Sequence, residues 1–305
     1  MSGKWTTEDI PDLSGKVIIV TGANTGLGYV ATREFSKKGA EVIMACRNLE
    51  RGQAALDRIA AESARNNLRL MHLDLASLRS VRSFSEEFKA VHDRLDVLLN
   101  NAGIMMVPYG KTEDGFETHL GVNHLGHFAL TGLLSDVWLK TPRSRVVTVS
   151  SMAHRFGKMD FDNLMFERGG YGPMRAYARS KLANLLFTYE LQRRLERAGS
   201  DSLALAAHPG VADTELGRYA QGTRFYRFIS HLMTPQNADM GALPEIRASV
   251  DPNAKGGEFY GPGGWLGARG HPVLSRASRR SRSEADARRL WHLSEELTGV
   301  RWMSE

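Results

Sequence analysis

Between positions 16 and 150, β-branched and aliphatic residues gather into short, near-continuous runs at 16–20, 41–45, 68–73, 95–99 and 145–149. In the intervening stretches they recur every three or four residues, as on one face of a helix. A strand covered on both faces loses the in/out alternation of a half-exposed one, so this pattern predicts βαβ units and a parallel sheet between helical layers. Two further runs, at 203–208 and 258–260, extend the sheet. Ser77 ahead of Val81, Phe84 and Phe88 reads as an N-cap followed by one apolar helix face. Longer helices are predicted at 114–140, 174–197 and 283–297, the last with an apolar edge of Leu290, Leu293 and Leu297. No linker, repeat or low-complexity tract interrupts the chain, which predicts one α/β domain with its core at 14–260 and a C-terminal extension at 261–305. The excursion at 210–250, with Phe225, Tyr226, Phe228, Ile229 and Met233, is longer than a connection needs, and such insertions tend to carry function.

Composition narrows the class. With 42% hydrophobic and 24% charged residues, the 305-residue chain is of ordinary globular make-up. It holds no apolar run long enough for a transmembrane segment, and its first 14 residues are polar, unlike a signal peptide; both features predict a cytoplasmic protein. Cys46 is the single cysteine, which excludes an internal disulfide and a thiolate-clustered metal site, so redox chemistry must come from a cofactor. The net charge of +6 is concentrated near the C-terminus in Arg269, Arg276, Arg279, Arg280, Arg282, Arg288 and Arg289. No aromatic residues interleave with them, so they predict a solvated face with no nucleic-acid partner.

Candidate chemistry begins directly after the first strand, at Thr21-Gly22-Ala23-Asn24-Thr25-Gly26-Leu27-Gly28. Small residues there permit a tight turn and close backbone approach, and the following helix N-terminus favours an anion. The turn therefore reads as a dinucleotide-binding site formed by Gly22, Asn24, Thr25, Gly26, Leu27 and Gly28. An acidic residue at the end of the second strand would select a free ribose 2′-hydroxyl, whereas this chain has Arg47 and Asn48. A guanidinium suits a 2′-phosphate, which predicts NADP(H) as the cofactor. After the third strand, Asp74, with Leu75 beside it, either accepts from the adenine amino group or caps the helix near Ser77. Asn100, Asn101, Ala102 and Gly103 follow the fourth strand and are small and polar where a cofactor could rest.

Tyr177 and Lys181 lie four residues apart in a predicted helix and so share a face. An ammonium near a phenol favours the phenolate and makes it a usable acid/base. The fifth strand runs out into Ser150 and Ser151, placing a hydroxyl at the same carboxyl edge. Asn123, inside an apolar helix, either makes a buried structural hydrogen bond or kinks the helix and holds a water.

Taken together and in this order, these elements and Pro209-Gly210-Val211-Ala212-Asp213-Thr214 resemble the short-chain dehydrogenase/reductase superfamily in its classical type. The wording of 45–47, 150–154 and 180–184 is most similar to the retinol dehydrogenase-like branch and its bacterial relatives. The resemblance implies a Rossmann-type, doubly wound parallel sheet and hydride transfer between a nicotinamide and a carbonyl or alcohol. It implies that Tyr177 moves the proton, Lys181 binds the nicotinamide ribose, Ser151 rather than Ser150 holds the reacting oxygen and Asn123 holds a relay water. Pro209, Gly210, Val211 and Thr214 would close over the nicotinamide end, 211–250 would form a substrate lid, and a homodimer or homotetramer is expected. Two features differ from compact members. The 25 residues between Ser151 and Tyr177 form a long segment whose Phe156, Phe161, Met165, Phe166 and Tyr171 either wall the substrate site or pack on the sheet. The apolar N-terminal anchor of animal retinol dehydrogenases is not seen, which points away from a retinoid and toward another hydrophobic small molecule. A sugar-nucleotide epimerase or dehydratase shares the Tyr/Lys pair but has a different glycine spacing; a cofactor-binding sensor or scaffold would be expected to lack part of the catalytic set.

Overall fold

The computed structural model describes residues 4–62, 67–211 and 236–303. Eight strands form one sheet: β1 Val17–Thr21, β2 Glu41–Cys46, β3 Leu68–His72, β4 Val97–Asn100, β5 Arg145–Val149, β6 Leu203–Ala207, β7 Phe259–Pro262 and β8 Pro272–Leu274. Their order is β3-β2-β1-β4-β5-β6-β7-β8, parallel throughout except for β8. The seven strands read from apolar runs are present. The eighth, only three residues long and opening on Pro272, comes from the C-terminal extension and blunts the edge of β7.

Alternate residues of each strand serve opposite helical layers. Ile18, Val20, Val42 and Met44 pack with α1 (Gly26–Lys37), α2 (Leu49–Glu62) and Ala242, Leu243 and Ile246 of a later helix, here α8 (Ala238–Val250). Ile19, Ile43 and Leu98 face α3 (Leu78–Val91) and Phe187, Leu191 and Leu195 of α7 (Pro173–Arg197). Ser77 caps α3, its hydroxyl accepting from the Ser80 N–H. Among the described residues no helix is long and apolar enough to cross a membrane.

Two predicted elements differ from the structure. The stretch 114–140 is not one helix. Its helical part starts at Thr118, because the Glu117 carboxylate caps the N–H groups of His119 and Leu120. The chain then runs as α4 (Thr118–Leu120), a π-helical turn at Gly121–Leu125, α5 (Gly126–Leu133) and α6 (Ser135–Trp138). Nor is the whole of 211–250 a lid. Its last thirteen residues are α8, whose apolar side chains are buried beneath the sheet beside α1; residues 212–235, with the aromatic cluster expected over a substrate, lie outside the described residues.

The C-terminal helix α9 (Glu284–Thr298) packs on α7. Trp291 is buried between Phe128 and Phe187, and Trp302 lies so close to Gly132 that a Cβ there would sit 2.4 Å from its ring. The seven C-terminal arginines are all exposed, as expected of a solvated face.

Candidate functional site

Because β1 to β7 run parallel, the loops leaving them emerge along one edge of the sheet. That edge gathers Gly22, Arg47, Asp74, Asn101 to Gly103, Ser151 and Pro209 to Val211. The strand order turns back between β1 and β4, where an open α/β sheet leaves a crevice.

The loops from β1 and β4 interlock at that point. Thr21 Oγ1 accepts from the N–H groups of Asn101 at 3.0 Å and Ala102 at 2.9 Å, and Asn101 Nδ2 donates to the Thr21 carbonyl at 2.7 Å. Gly22 and Gly26 hold φ of 68° and 56°, where a side chain is strained. A Cβ on Gly28 would lie 2.5 Å from both Asn101 Nδ2 and the Gly22 carbonyl oxygen. Thr25 precedes α1 without a side-chain cap, so the first-turn N–H groups stay open beside the half-buried turn of Asn24 to Leu27. A bare-backbone cradle at an uncapped helix N-terminus fits a pyrophosphate in both shape and sign.

The remaining predicted cofactor contacts are placed as follows. Arg47 is exposed and makes no ion pair among the described residues. Asn48 Oδ1 accepts from the Arg51 N–H at 2.8 Å, a structural role at the start of α2. Asp74 Oδ1 accepts from the Ala76 N–H at 2.9 Å, while capping of α3 falls to Ser77. Leu75 is buried, with its carbonyl against Gly126. Gly103 approaches Asn123 and Lys181 so closely that a Cβ would meet Oδ1 of the first at 3.1 Å and Nζ of the second at 3.4 Å. Gly210 holds φ of 70°, the Pro209 carbonyl accepts from Gln236 at 2.8 Å and the Val211 N–H donates to the Ala268 carbonyl at 2.8 Å. Thr214 lies outside the described residues.

Asn123, Ser151, Tyr177 and Lys181 converge beside this cradle. Asn123 sits in the π-helical turn, and its side chain is fully engaged: Oδ1 accepts from the Ile104 N–H at 2.8 Å, and Nδ2 donates to the Ile104 carbonyl and to Ser180 Oγ. The side chain thus makes buried structural hydrogen bonds within a distorted stretch of helix. The two serines are distinguished by their bonds. Ser150 Oγ is buried and donates to the Lys181 carbonyl at 2.7 Å, whereas Ser151 Oγ stays half-exposed, accepting from the Ala153 N–H.

Burial governs the acidities here. It pushes the Tyr177 hydroxyl up, against a downward pull from Ser151. Lys181 is not the source of that pull, contrary to the sequence expectation: its Nζ donates to the Val149 carbonyl at 3.0 Å and lies 5.9 Å from the centre of the Tyr177 ring. Desolvation lowers the Lys181 ammonium to about 8, opposed by the charge of Glu245. Burial in turn lifts Glu245 on α8 to about 8, opposed by Lys181, and its Oε1 has no hydrogen-bond partner. Between pH 4.5 and about 8 the folded chain thus holds a proton on Glu245 that the unfolded chain releases, so this group's contribution to stability falls as pH rises through that window. Glu245→Gln is expected to remove that slope. Tm measured at pH 5 and pH 8 should differ less in the variant than in the wild type; an equal difference would remove Glu245 as its source.

Sequence reasoning missed His127 and Glu245. His127 is buried, and desolvation with the Lys181 charge holds its imidazole neutral, down to about 3. Its Nδ1 lies 3.2 Å from the Asn123 carbonyl, and its Nε2 lies 2.9 Å from Thr21 Oγ1. The network is satisfied if Nδ1–H donates to Asn123 and the Thr21 hydroxyl donates to Nε2, joining the glycine turn to the Asn123 backbone. The signal was a histidine four residues after Asn123, one helical turn on, in a mostly apolar stretch.

Residues 16–223 match the short chain dehydrogenase family. The chain belongs to that family. Human retinol dehydrogenase 12 is 40% identical to this short-chain dehydrogenase over 296 residues, covering 95% of this chain and 88% of the relative. Human retinol dehydrogenase 13 is 45% identical over 236 residues, covering 77% and 70%. An uncharacterized protein from Mycobacterium paratuberculosis of known crystal structure superposes with a TM-score of 0.81 at 42% identity, covering 98% and 99% of the two chains. The short-chain dehydrogenase described here thus lies in the retinol dehydrogenase-like branch, and family membership makes it a nucleotide-binding oxidoreductase of alcohol and carbonyl compounds.

Proposed function

We propose that this chain is an NADP(H)-dependent oxidoreductase that interconverts a hydrophobic ketone or aldehyde and its alcohol, with Tyr177 as the acid/base. The observation that carries this reading is the Ser151 and Tyr177 hydroxyl pair beside Lys181, at the crevice into which the glycine cradle opens. When bound, the nicotinamide supplies or accepts hydride. Ser151 donates a hydrogen bond that orients the substrate oxygen. Tyr177 gives that oxygen a proton during reduction and takes it back during oxidation. A buried phenol whose hydroxyl is pushed up favours the protonated, donating form, which suits reduction. Lys181 binds the nicotinamide ribose and keeps positive charge near the phenolate that proton loss creates. The apolar character of the substrate is supported by Ile104, Met105, Met106, Val107 and Met152, half-buried residues on the loops next to Asn123 and Ser151.

Arg47 carries the cofactor preference. Arg47→Glu is expected to weaken NADPH binding roughly 100-fold, the loss of a charge-assisted contact of about 2.7 kcal/mol, while changing NADH binding little. Titration of both cofactors checks this; a wild type that prefers NADH defeats the assignment. A panel of aldehydes, ketones and polyols tests the substrate class, and turnover confined to small polar polyols would overturn the apolar reading.

A further inference from the structure

Two loops adjoin the Asn123–Ser151–Tyr177–Lys181 group. The first, 104–111, leaves β4 and is pinned at its start by the paired hydrogen bonds between Ile104 and Asn123. The second, 165–171, belongs to the long segment ahead of α7. Tyr171 joins them. Its hydroxyl donates to the Val107 carbonyl at 2.7 Å, and its ring meets Tyr109 edge-on at 5.1 Å and Phe166 at 5.3 Å. An exposed ion pair, Lys111 to Glu167 at 2.9 Å, closes the outer end. Met106 and Phe166, one in each loop, hold φ of 59° and 60°, a strained region that non-glycine residues keep only where surrounding contacts demand it.

Behind Tyr171 lies a buried carboxylate–imidazole pair that the proposed chemistry does not use. Glu117 Oε1 accepts from His119 Nδ1 at 2.8 Å and from the His119 backbone N–H at 2.9 Å. With Nδ1 so engaged, His119 Nε2 is fully buried and has no partner, an arrangement that costs free energy and calls for a purpose. The imidazole stands between two tyrosines, its centroid 6.4 Å from the Tyr171 ring and 6.4 Å from the Tyr177 ring. Glu117 thereby fixes an aromatic spacer of set thickness between the tyrosine that joins the loops and the one proposed to move the proton.

We propose that Tyr171 is a specificity-determining residue: its clasp on Val107, braced by His119 and Glu117, sets the width of the substrate cleft beside Tyr177. This rests on the reading of the chain as a carbonyl oxidoreductase. Burial and the charge of Glu117 raise the Tyr171 hydroxyl to about 12, so it remains a donor at any working pH. Removing the Tyr171 hydroxyl releases its bond to Val107, and its 3.4 Å approach to His119 Nδ1, without touching the residues proposed to bind cofactor or move the proton.

Tyr171→Phe, which keeps the ring, and Tyr171→Ala, which removes it, test the clasp against carbonyls of graded bulk with NADPH. Tyr171→Ala is expected to shift kcat/KM for bulky over small carbonyls by about tenfold or more, with Tyr171→Phe between it and the wild type. For the smallest aldehyde, kcat and the NADPH Kd should stay within about twofold of wild type. Amide hydrogen exchange of 104–111 should quicken in Tyr171→Phe while the β1–α1 turn is unchanged. A uniform loss across all substrates, unchanged ratios, or unchanged exchange at 104–111 would each overturn the proposal. A wild type inactive on every carbonyl would instead overturn the proposed function, and the exchange measurement would still judge the clasp.

Discussion

Tyr177→Phe is expected to lower kcat about a thousandfold while the NADPH Kd stays within about twofold of wild type. The substitution removes one hydroxyl and little else. The ring keeps its buried place on α7, and Ser151 retains its bond from the Ala153 N–H, so folding should be nearly unaffected. Substrate would still bind beside Ser151, but no group within reach would protonate the oxygen as hydride arrives. Steady-state kinetics with a reducible carbonyl, paired with a cofactor titration, measures both quantities. Full turnover in the variant would take Tyr177 out of the chemistry. Absence of turnover in variant and wild type alike, with cofactor bound normally, would favour a cofactor-sensing role.

Trp291→Ala is expected to destabilise the fold by about 3–5 kcal/mol and lower Tm by about 10 °C. Trp291 is 2% exposed and packs its indole against Phe187 at 5.9 Å, Phe128 at 5.1 Å and Trp302 at 4.6 Å, with the Arg194 guanidinium 4.4 Å from its ring centre. Truncation would open a cavity walled by rings too large to collapse into it. The result bears on the C-terminal extension, because α9 would then be part of the main core. A loss below about 1 kcal/mol in a denaturant titration would show that the extension can detach without disturbing the rest.

Strand-forming segments were legible because burial on both faces leaves most of them near-continuously apolar, as in the VIIVT of β1 and the VLLN of β4. The candidate site was legible for a related reason. In a parallel sheet the ligand side is fixed as the carboxyl edge, so residues that end strands, such as Arg47, Asp74 and Ser151, stand out from the apolar runs before them. What escaped were features decided by single contacts. β8 has three residues, two of them exposed, and exists through pairing with β7. The start of α4 was invisible because polar and apolar residues in 114–125 follow no clean helical period; one carboxylate, Glu117, decides it. His127 acquires meaning only when Thr21, more than a hundred residues away, is brought against its ring. The lid expected over 211–250 took in α8 because an apolar helix packed under the sheet and an expected apolar cover share a composition.

The π-helical turn at Gly121–Leu125 has a bearing on how this chain tolerates insertions and deletions. Such a turn is an ordinary helix carrying one residue too many, closed here by the Gly126 N–H reaching back to the Gly121 carbonyl. Loss of one residue within it would restore regular helix at no cost in backbone hydrogen bonds. It would nonetheless re-phase the side chains within the turn relative to the helix on either side. Glu117 and His119 would leave the face they share with Asn123, and either the tyrosine spacer or the Ile104 anchor would be lost. A gap in this helix would therefore record a change of chemistry rather than a trimmed loop, and an evolutionary comparison should weigh it as such.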